Sequence, residues 1–267
     1  MKLSIAVSEP DAKFSALALK GEFEDTFRAA SGAGFDGAEL HVRNPATVDA
    51  GRVRTLLADF GLVAPAIGTG RAFGEDGLCF SSPDEKTRRE AVERIKSHID
   101  FAAGFGALVI IGLIVGKNPV TPESERWATE CLAECAGRAE RRGVKLAVEP
   151  INRYETSFII TVEDCLRFLD KVGSPACGVL LDTFHMNIEE ASIENSIRLA
   201  GSRAAHVHIA DSNRRHPGAG HIDFRSIVEA LSDIGYDGFL SAEIFPLPDP
   251  ETAAVNTVEH MKKILAW

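Results

Sequence analysis

The sequence predicts an α/β chain closed into a (β/α)8 TIM barrel, and three observations carry that expectation. The chain has 267 residues, close to the roughly 250 of a single α/β barrel. Eight short apolar runs alternate with longer amphipathic stretches from one end to the other. Many of these runs, such as Ala-Leu-Val-Ile-Ile-Gly-Leu at 107–113, are apolar at nearly every position. Parallel strands covered by helices outside and side chains inside need that pattern.

Taken in order, strands are expected at 3–7, 37–42, 63–68, 107–113, 145–150, 178–184, 204–211 and 238–245. Amphipathic stretches, including 84–105 and 122–142, fill the intervals. Gly34, Gly61, Gly106, Gly143 and Gly235 stand just before the next strand, where a left-handed residue commonly closes a helix. A doubly wound open sheet would want a glycine-rich phosphate turn after the first strand, and Ser8-Glu9-Pro10-Asp11 offers none. No linker-like composition interrupts the series, so residues 1–267 are expected to form one domain. The longer loops, 69–83, 115–122, 151–160 and 212–222, all follow strands and gather at the C-terminal face of a barrel, where sites are built.

Composition narrows the partners. Apolar residues make up 45% and charged residues 25%, a globular balance that argues against disorder. A formal charge of −10 argues against nucleic acid, whose binders need a basic face. Five scattered cysteines with no C-x-x-C pair suit a reducing cytosol and small buried side chains. The N-terminus has no signal-peptide pattern, and the longest apolar run, 107–115, is too short for a bilayer. These points predict a cytoplasmic protein without membrane or nucleic-acid partners.

The chemistry lies at the strand ends. The fifth strand ends Ala-Val-Glu149, the sixth Leu-Leu-Asp182, the seventh carries Val-His208, and the eighth ends Ser-Ala-Glu243. Taken singly, such residues are ordinarily loop hydrogen-bonders or satisfied core groups. Four consecutive strands placing them at one end is a different matter. Three ionised carboxylates among apolar neighbours need a cation, and three carboxylates with one imidazole suit Mn²⁺, Mg²⁺ or Co²⁺. Such an ion would polarise a carbonyl. Glu149 and Glu243, from strands several positions apart, could then take a proton from one face of a substrate and return it on the other. One base moving the proton between adjacent carbons would instead interconvert aldose and ketose. Glu155, His185 and Arg214 follow the ring residues closely and stand where a small sugar would be held. The Pro217-Gly-Ala-Gly-His221 segment reads as a tight loop bringing backbone close to the site.

The strings Val-Glu149-Pro-Ile-Asn-Arg-Tyr-Glu155-Thr, Leu-Asp182-Thr-Phe-His185-Met-Asn, His208-Ile-Ala-Asp-Ser-Asn-Arg214 and Ala-Glu243 resemble the sugar isomerase/epimerase branch of the xylose-isomerase-like barrels, most closely the D-tagatose 3-epimerase group. Within it, segments 1–4, 67–70 and 109–113 are similar to 5-keto-L-gluconate epimerases. The resemblance implies one metal, commonly Mn²⁺, on Glu149, Asp182, His208 and Glu243, with Glu149 and Glu243 as the acid/base pair. It implies that Glu155, His185 and Arg214 bind the C1–C3 end of a ketose or keto-acid sugar, and that the chain forms a homodimer or homotetramer. Hydroxypyruvate isomerases share a similar Glu-Pro-Ile-Asn string. The related abasic-site endonucleases take extra histidines after the third and fourth strands, where this chain reads Ile67-Gly68 and Gly112-Leu113. A glycoside hydrolase using Glu149 and Glu243 would leave Asp182 and His208 unexplained. For a substrate carboxylate, Arg71 and Lys117 are candidates on position alone, with solvated surface roles the first expectation for both.

Overall fold

In the computed structural model, residues 1–117 and 120–266 are described. The chain opens with β1 (Lys2–Ser8), β2 (Leu19–Lys20), α1 (Phe23–Ala33), β3 (Gly37–His41), α2 (Ala50–Asp59), β4 (Ala66–Gly68), α3 (Gly70–Gly74) and α4 (Glu85–Ala103). It continues through β5 (Leu108–Ile111), α5 (Pro122–Arg142), β6 (Leu146–Val148), α6 (Val162–Val172), β7 (Cys177–Asp182), α7 (Thr183–Glu189) and α8 (Ile193–Ala200). It finishes with β8 (Ala204–Ile209), α9 (Phe224–Asp233), β9 (Phe239–Ala242) and α10 (Pro250–Leu265).

All pairings are parallel, and β9 returns to β1 through Lys2↔Phe239 to Ile5↔Ala242, so eight strands close a barrel. Each expected strand is present. The ninth, β2, is a two-residue addition beside β1, pairing Val7↔Leu19 and Ser8↔Lys20; too short to show a period, it has no sequence signal. The five glycines expected at helix ends all have positive φ, from 66° to 93°. The expected loop at 69–83 contains α3, and the one at 115–122 includes Asn118 and Pro119, which lie outside the described residues.

All the expected strands but the first fall short of their expected span at one end or both, and three show the reason. At 63–68, Val63 makes only an isolated bridge to Gly37, and β4 starts beyond Pro65, which has no N–H for a ladder. At 178–184, β7 stops at Asp182 because that side chain caps α7. At 204–211, β8 ends at Ile209, and Asp211 turns into the next loop.

The alternation of side chains along each strand separates two apolar regions. Ile5, Leu40, Ile67, Val109, Val148, Leu181, Val207 and Leu240 point outward into the large core under the helices. Ala66, Ile110, Ala147 and Leu180 form a separate small cluster in the interior. Two residues on from interior positions 147 and 180 come Glu149 and Asp182. The period of two thus delivers these polar groups to the barrel axis, above this small apolar cluster.

Candidate metal centre and sugar pocket

Each ring residue is aimed by local structure. Asp182 is the N-cap of α7: its Oδ1 accepts from the backbone N–H of Phe184 at 2.8 Å and His185 at 3.3 Å, a cap worth about 1 kcal/mol. Its Oδ2 is left for the axis. His208 lies inside β8, and Glu149 and Glu243 follow the last residues of β6 and β9.

The four side chains meet. His208 Nδ1 lies 3.6 Å from Glu149 Oε1, 3.7 Å from Asp182 Oδ2 and 3.8 Å from Glu243 Oε2. One donor atom from each of the four lies within 4.8 Å of all the others. His208 Nδ1 and Glu149 Oε1 are buried and have no hydrogen-bond partner. An orphaned imidazole nitrogen facing three carboxylates is costly unless a cation lies between them. One nitrogen and three oxygens form a donor set for Mn²⁺, Mg²⁺ or Co²⁺, so the residues fit the implied ion.

Electrostatics point the same way. Burial pushes the Glu149 and Glu243 carboxyls above their usual range, with Arg214 and His208 only partly opposing it. Burial acts on Asp182 too, but Arg214, His185 and His208 outweigh it and hold Asp182 low. Arg214 is the internal counter-charge. Its Nη1 donates to Asp182 Oδ2 at 3.1 Å and its Nη2 to Glu243 Oε2, while the guanidinium stands 4.7 Å from the Phe184 ring centre. Its backbone is left-handed, φ 59°, and is tied by Arg214 N–H to Asp211 O and Phe245 N–H to Arg214 O.

Glu155, His185 and Arg214 line a cavity of about 450 Å³ together with Glu149, His208 and Glu243. That volume suits a small ligand. His185 is oriented by Asn152, a residue to which sequence reading gives no role. The Tyr154 N–H donates to Asn152 Oδ1, which turns the Asn152 amide nitrogen toward Glu155 Oε1 at 3.1 Å and His185 Nδ1 at 2.7 Å. His185 Nδ1 therefore accepts. In the neutral ring, favoured by burial, Nε2 then carries the hydrogen, and its 3.4 Å approach to Arg214 Nη1 sets two donors side by side, both available to a ligand oxygen.

Two positional expectations need correcting. Pro217–His221 contributes nothing to the cavity lining. Instead Asp211 accepts from Gly218 N–H at 2.8 Å and Ile222 N–H at 3.1 Å, and a Cβ on Gly220 would stand 2.2 Å from Asp211 Oδ1. The loop packs on Asp211, so its close approach serves the fold. Arg71 is neither solvated nor free: its guanidinium is clamped by Glu9 and Asp11 at 2.7 Å each and Glu75 at 2.9 Å. Lys117 is exposed at the cavity's edge. A wider depression of about 790 Å³ lies across the strand starts, by Lys145, Cys177 and Arg203, and contains none of the ring residues.

Sequence reading also passes over Glu39, His41 and His206, all buried in the interior. The available signal was Glu39-Leu-His41 and His206-Val-His208, pairs of polar residues two apart within apolar strands.

A family model described as "Xylose isomerase-like TIM barrel" matches residues 27–264. The L-ribulose 3-epimerase of Mesorhizobium japonicum is 35% identical over 238 residues, covering 87% of this chain and 78% of the relative. The structure of an L-ribulose 3-epimerase superposes with a TM-score of 0.86 at 30% identity, over 99% of this chain and 94% of that one. The D-allulose 3-epimerase from Methylomonas sp., crystallised with D-allulose, superposes with a TM-score of 0.84 at 26% identity, over 98% of both chains.

Proposed function

The chain belongs to the xylose isomerase-like TIM-barrel family, and we propose that it is a divalent-metal-dependent ketose 3-epimerase. The observation that carries this reading is the orphaned His208 Nδ1 facing three carboxylates at the wall of a sugar-sized cavity. Relatives named as L-ribulose and ketose 3-epimerases support the reaction class.

Glu149, Asp182, His208 and Glu243 would hold the ion, Mn²⁺ in first place and Mg²⁺ or Co²⁺ as alternatives. A bound ion would supply Lewis acidity toward the keto oxygen and so make the neighbouring C–H more acidic. This chain's residues do the rest. Glu149 and Glu243 both face the cavity; the ionised one takes the proton from C3 and the protonated one delivers its own proton to the far face, inverting that carbon and leaving the pair with exchanged protonation. Burial, which raises both carboxyls, brings them closer to a sugar carbon acid in proton affinity. His185 Nε2–H and the Arg214 guanidinium donate to substrate oxygens, and Glu155 accepts from a hydroxyl. The apolar walls of Phe14, Leu17 and Phe73 limit water around the reacting carbon.

A neutral ketose is placed ahead of 5-keto-L-gluconate because the relatives are named for L-ribulose, D-psicose and ketoses. The Arg71 guanidinium already has three carboxylates, so among the described residues Lys13 and Lys117 are the lining cations open to a substrate carboxylate. Proton NMR in D₂O with Mn²⁺ and a panel of L-ribulose, D-fructose, D-allulose and 5-keto-L-gluconate tests the reading. Deuterium entering at C3 with inversion is expected. Deuterium at C1 or C2 with aldose formation would make the protein an aldose–ketose isomerase, and turnover restricted to the keto acid would overturn the neutral-substrate reading.

A further inference from the structure

Below the ring lies a buried group that the proposed reaction does not itself use. Glu39 on β3 is fully buried, and three imidazoles converge on its carboxylate. His41 Nε2 is 2.7 Å from Oε1, His208 Nε2 is 3.0 Å from Oε1, and His206 Nε2 is 2.7 Å from Oε2. The strand order β8-β9-β1-β3 puts Glu39 three strands from His206 and His208, so it reaches them through the interior. Small residues clear the way. Ser4 and Ser241 face each other across β1 and β9, and Gly68 leaves room for His41, whose ring a Cβ there would approach to 2.7 Å.

An ionised carboxylate can only accept hydrogen bonds. Both Glu39 oxygens lie within 2.7–3.0 Å of an imidazole Nε2, and two oxygens can satisfy three ring nitrogens only as acceptors of their hydrogens. Each of the three imidazoles must then present Nε2–H, which leaves Nδ1 as the lone-pair nitrogen. For His208, that nitrogen is the orphan aimed at Glu149, Asp182 and Glu243.

We infer that Glu39 is the positioning residue of the metal centre: by accepting Nε2–H from His208, it fixes the tautomer and ring orientation that deliver Nδ1 to the ion. His41 and His206 fix the carboxylate in turn, so three imidazoles and one acid act as a unit. The inference rests on the reading of the ring as a metal site. A metal-bound imidazole whose other nitrogen donates to a carboxylate is held in place and made more basic.

The test is Glu39→Gln in the full chain, with Mn²⁺ affinity measured by calorimetry and folding checked by circular dichroism. A Gln amide has one accepting oxygen and cannot take hydrogens from three imidazoles, so Mn²⁺ affinity should fall about 10–100-fold in protein that is still folded. Folded Glu39→Gln with wild-type Mn²⁺ affinity overturns the inference while leaving the metal reading intact. Wild-type protein that takes up no Mn²⁺ removes both. Should the variant fail to fold, ¹⁵N-histidine spectra of the wild type decide the matter. Nε2–H is expected at His41, His206 and His208, and an unprotonated Nε2 at His206 or His208 refutes the arrangement.

Discussion

Replacing Asp182 by Asn separates two jobs that one side chain does. Oδ1 caps α7 through Phe184 and His185, while Oδ2 faces His208 Nδ1 and Arg214. Asn keeps an accepting oxygen for the cap but removes the negative charge from the ring. Asp182→Asn should therefore fold like the wild type and lose its response to Mn²⁺. The size of that response follows from chain length. At about 2.1 cal/mol/K per residue, 267 residues give an unfolding entropy of about 0.56 kcal/mol/K. Free Mn²⁺ at about 100 times its Kd stabilises the folded state by about 2.7 kcal/mol, which raises Tm by about 5 °C. If the variant weakens binding about 100-fold, the same Mn²⁺ concentration equals its Kd, and the shift falls to about 1 °C or less. Differential scanning fluorimetry of EDTA-stripped protein with and without Mn²⁺ reads both values. A full shift in Asp182→Asn, or none in the wild type, would refute the metal assignment.

Further outcomes follow from the same geometry. Glu243→Gln keeps the shape of a ring member but removes a proton carrier, so kcat should fall about 10²–10⁴-fold; epimerisation assays on Mn²⁺-saturated protein check it, and near-wild-type turnover would free Glu243 from acid/base work. Burial raises the Glu149 and Glu243 carboxyls, and a ligand carboxylate must shed its proton. Mn²⁺ affinity should therefore weaken as pH falls toward and through that raised range, with protons released on binding; calorimetry in buffers of different ionisation enthalpy measures the release, and a pH-independent affinity contradicts it. Arg71→Met removes the nearest cation from the largely buried Glu75, leaving it Arg43 at 3.7 Å, and unties Glu9 and Asp11. It should cost about 3 kcal/mol, the low end for a broken buried pair, because Arg43 stays near Glu75 and Asp11 is largely solvated. Urea unfolding reads that loss, and Mn²⁺ affinity should be unchanged because Arg71 touches no ring residue.

What the sequence makes legible is what repeats or sits at a boundary. Apolar runs buried on both faces mark all eight barrel strands, and glycine before a strand marks helix ends such as Gly143, with φ 66°. The ring was legible because Glu149, Asp182, His208 and Glu243 occupy equivalent places on consecutive strands. Glu39 and His206 lie deeper, where only a period-two reading of the interior face would have paired them, and their contact joins residues 167 apart. Arg71 was misplaced for a related reason. Its charge suggests solvent or substrate, while its partners Glu9 and Asp11 lie 62 and 60 residues earlier and are brought to it only by the side-by-side packing of β1, β3 and β4 in the sheet. The Pro217–His221 loop shows a similar ambiguity: glycines there mark a close approach of backbone, but the chain itself, in Asp211 and His260, is what it approaches.

The most direct measurement is a titration of EDTA-stripped protein with Mn²⁺, following bound metal and C3 inversion of L-ribulose or D-allulose together. Activity rising in proportion to occupancy and saturating at one ion per chain is the expected result. Full activity in EDTA, or saturation only at about three ions as a multi-zinc hydrolytic centre would need, would contradict it.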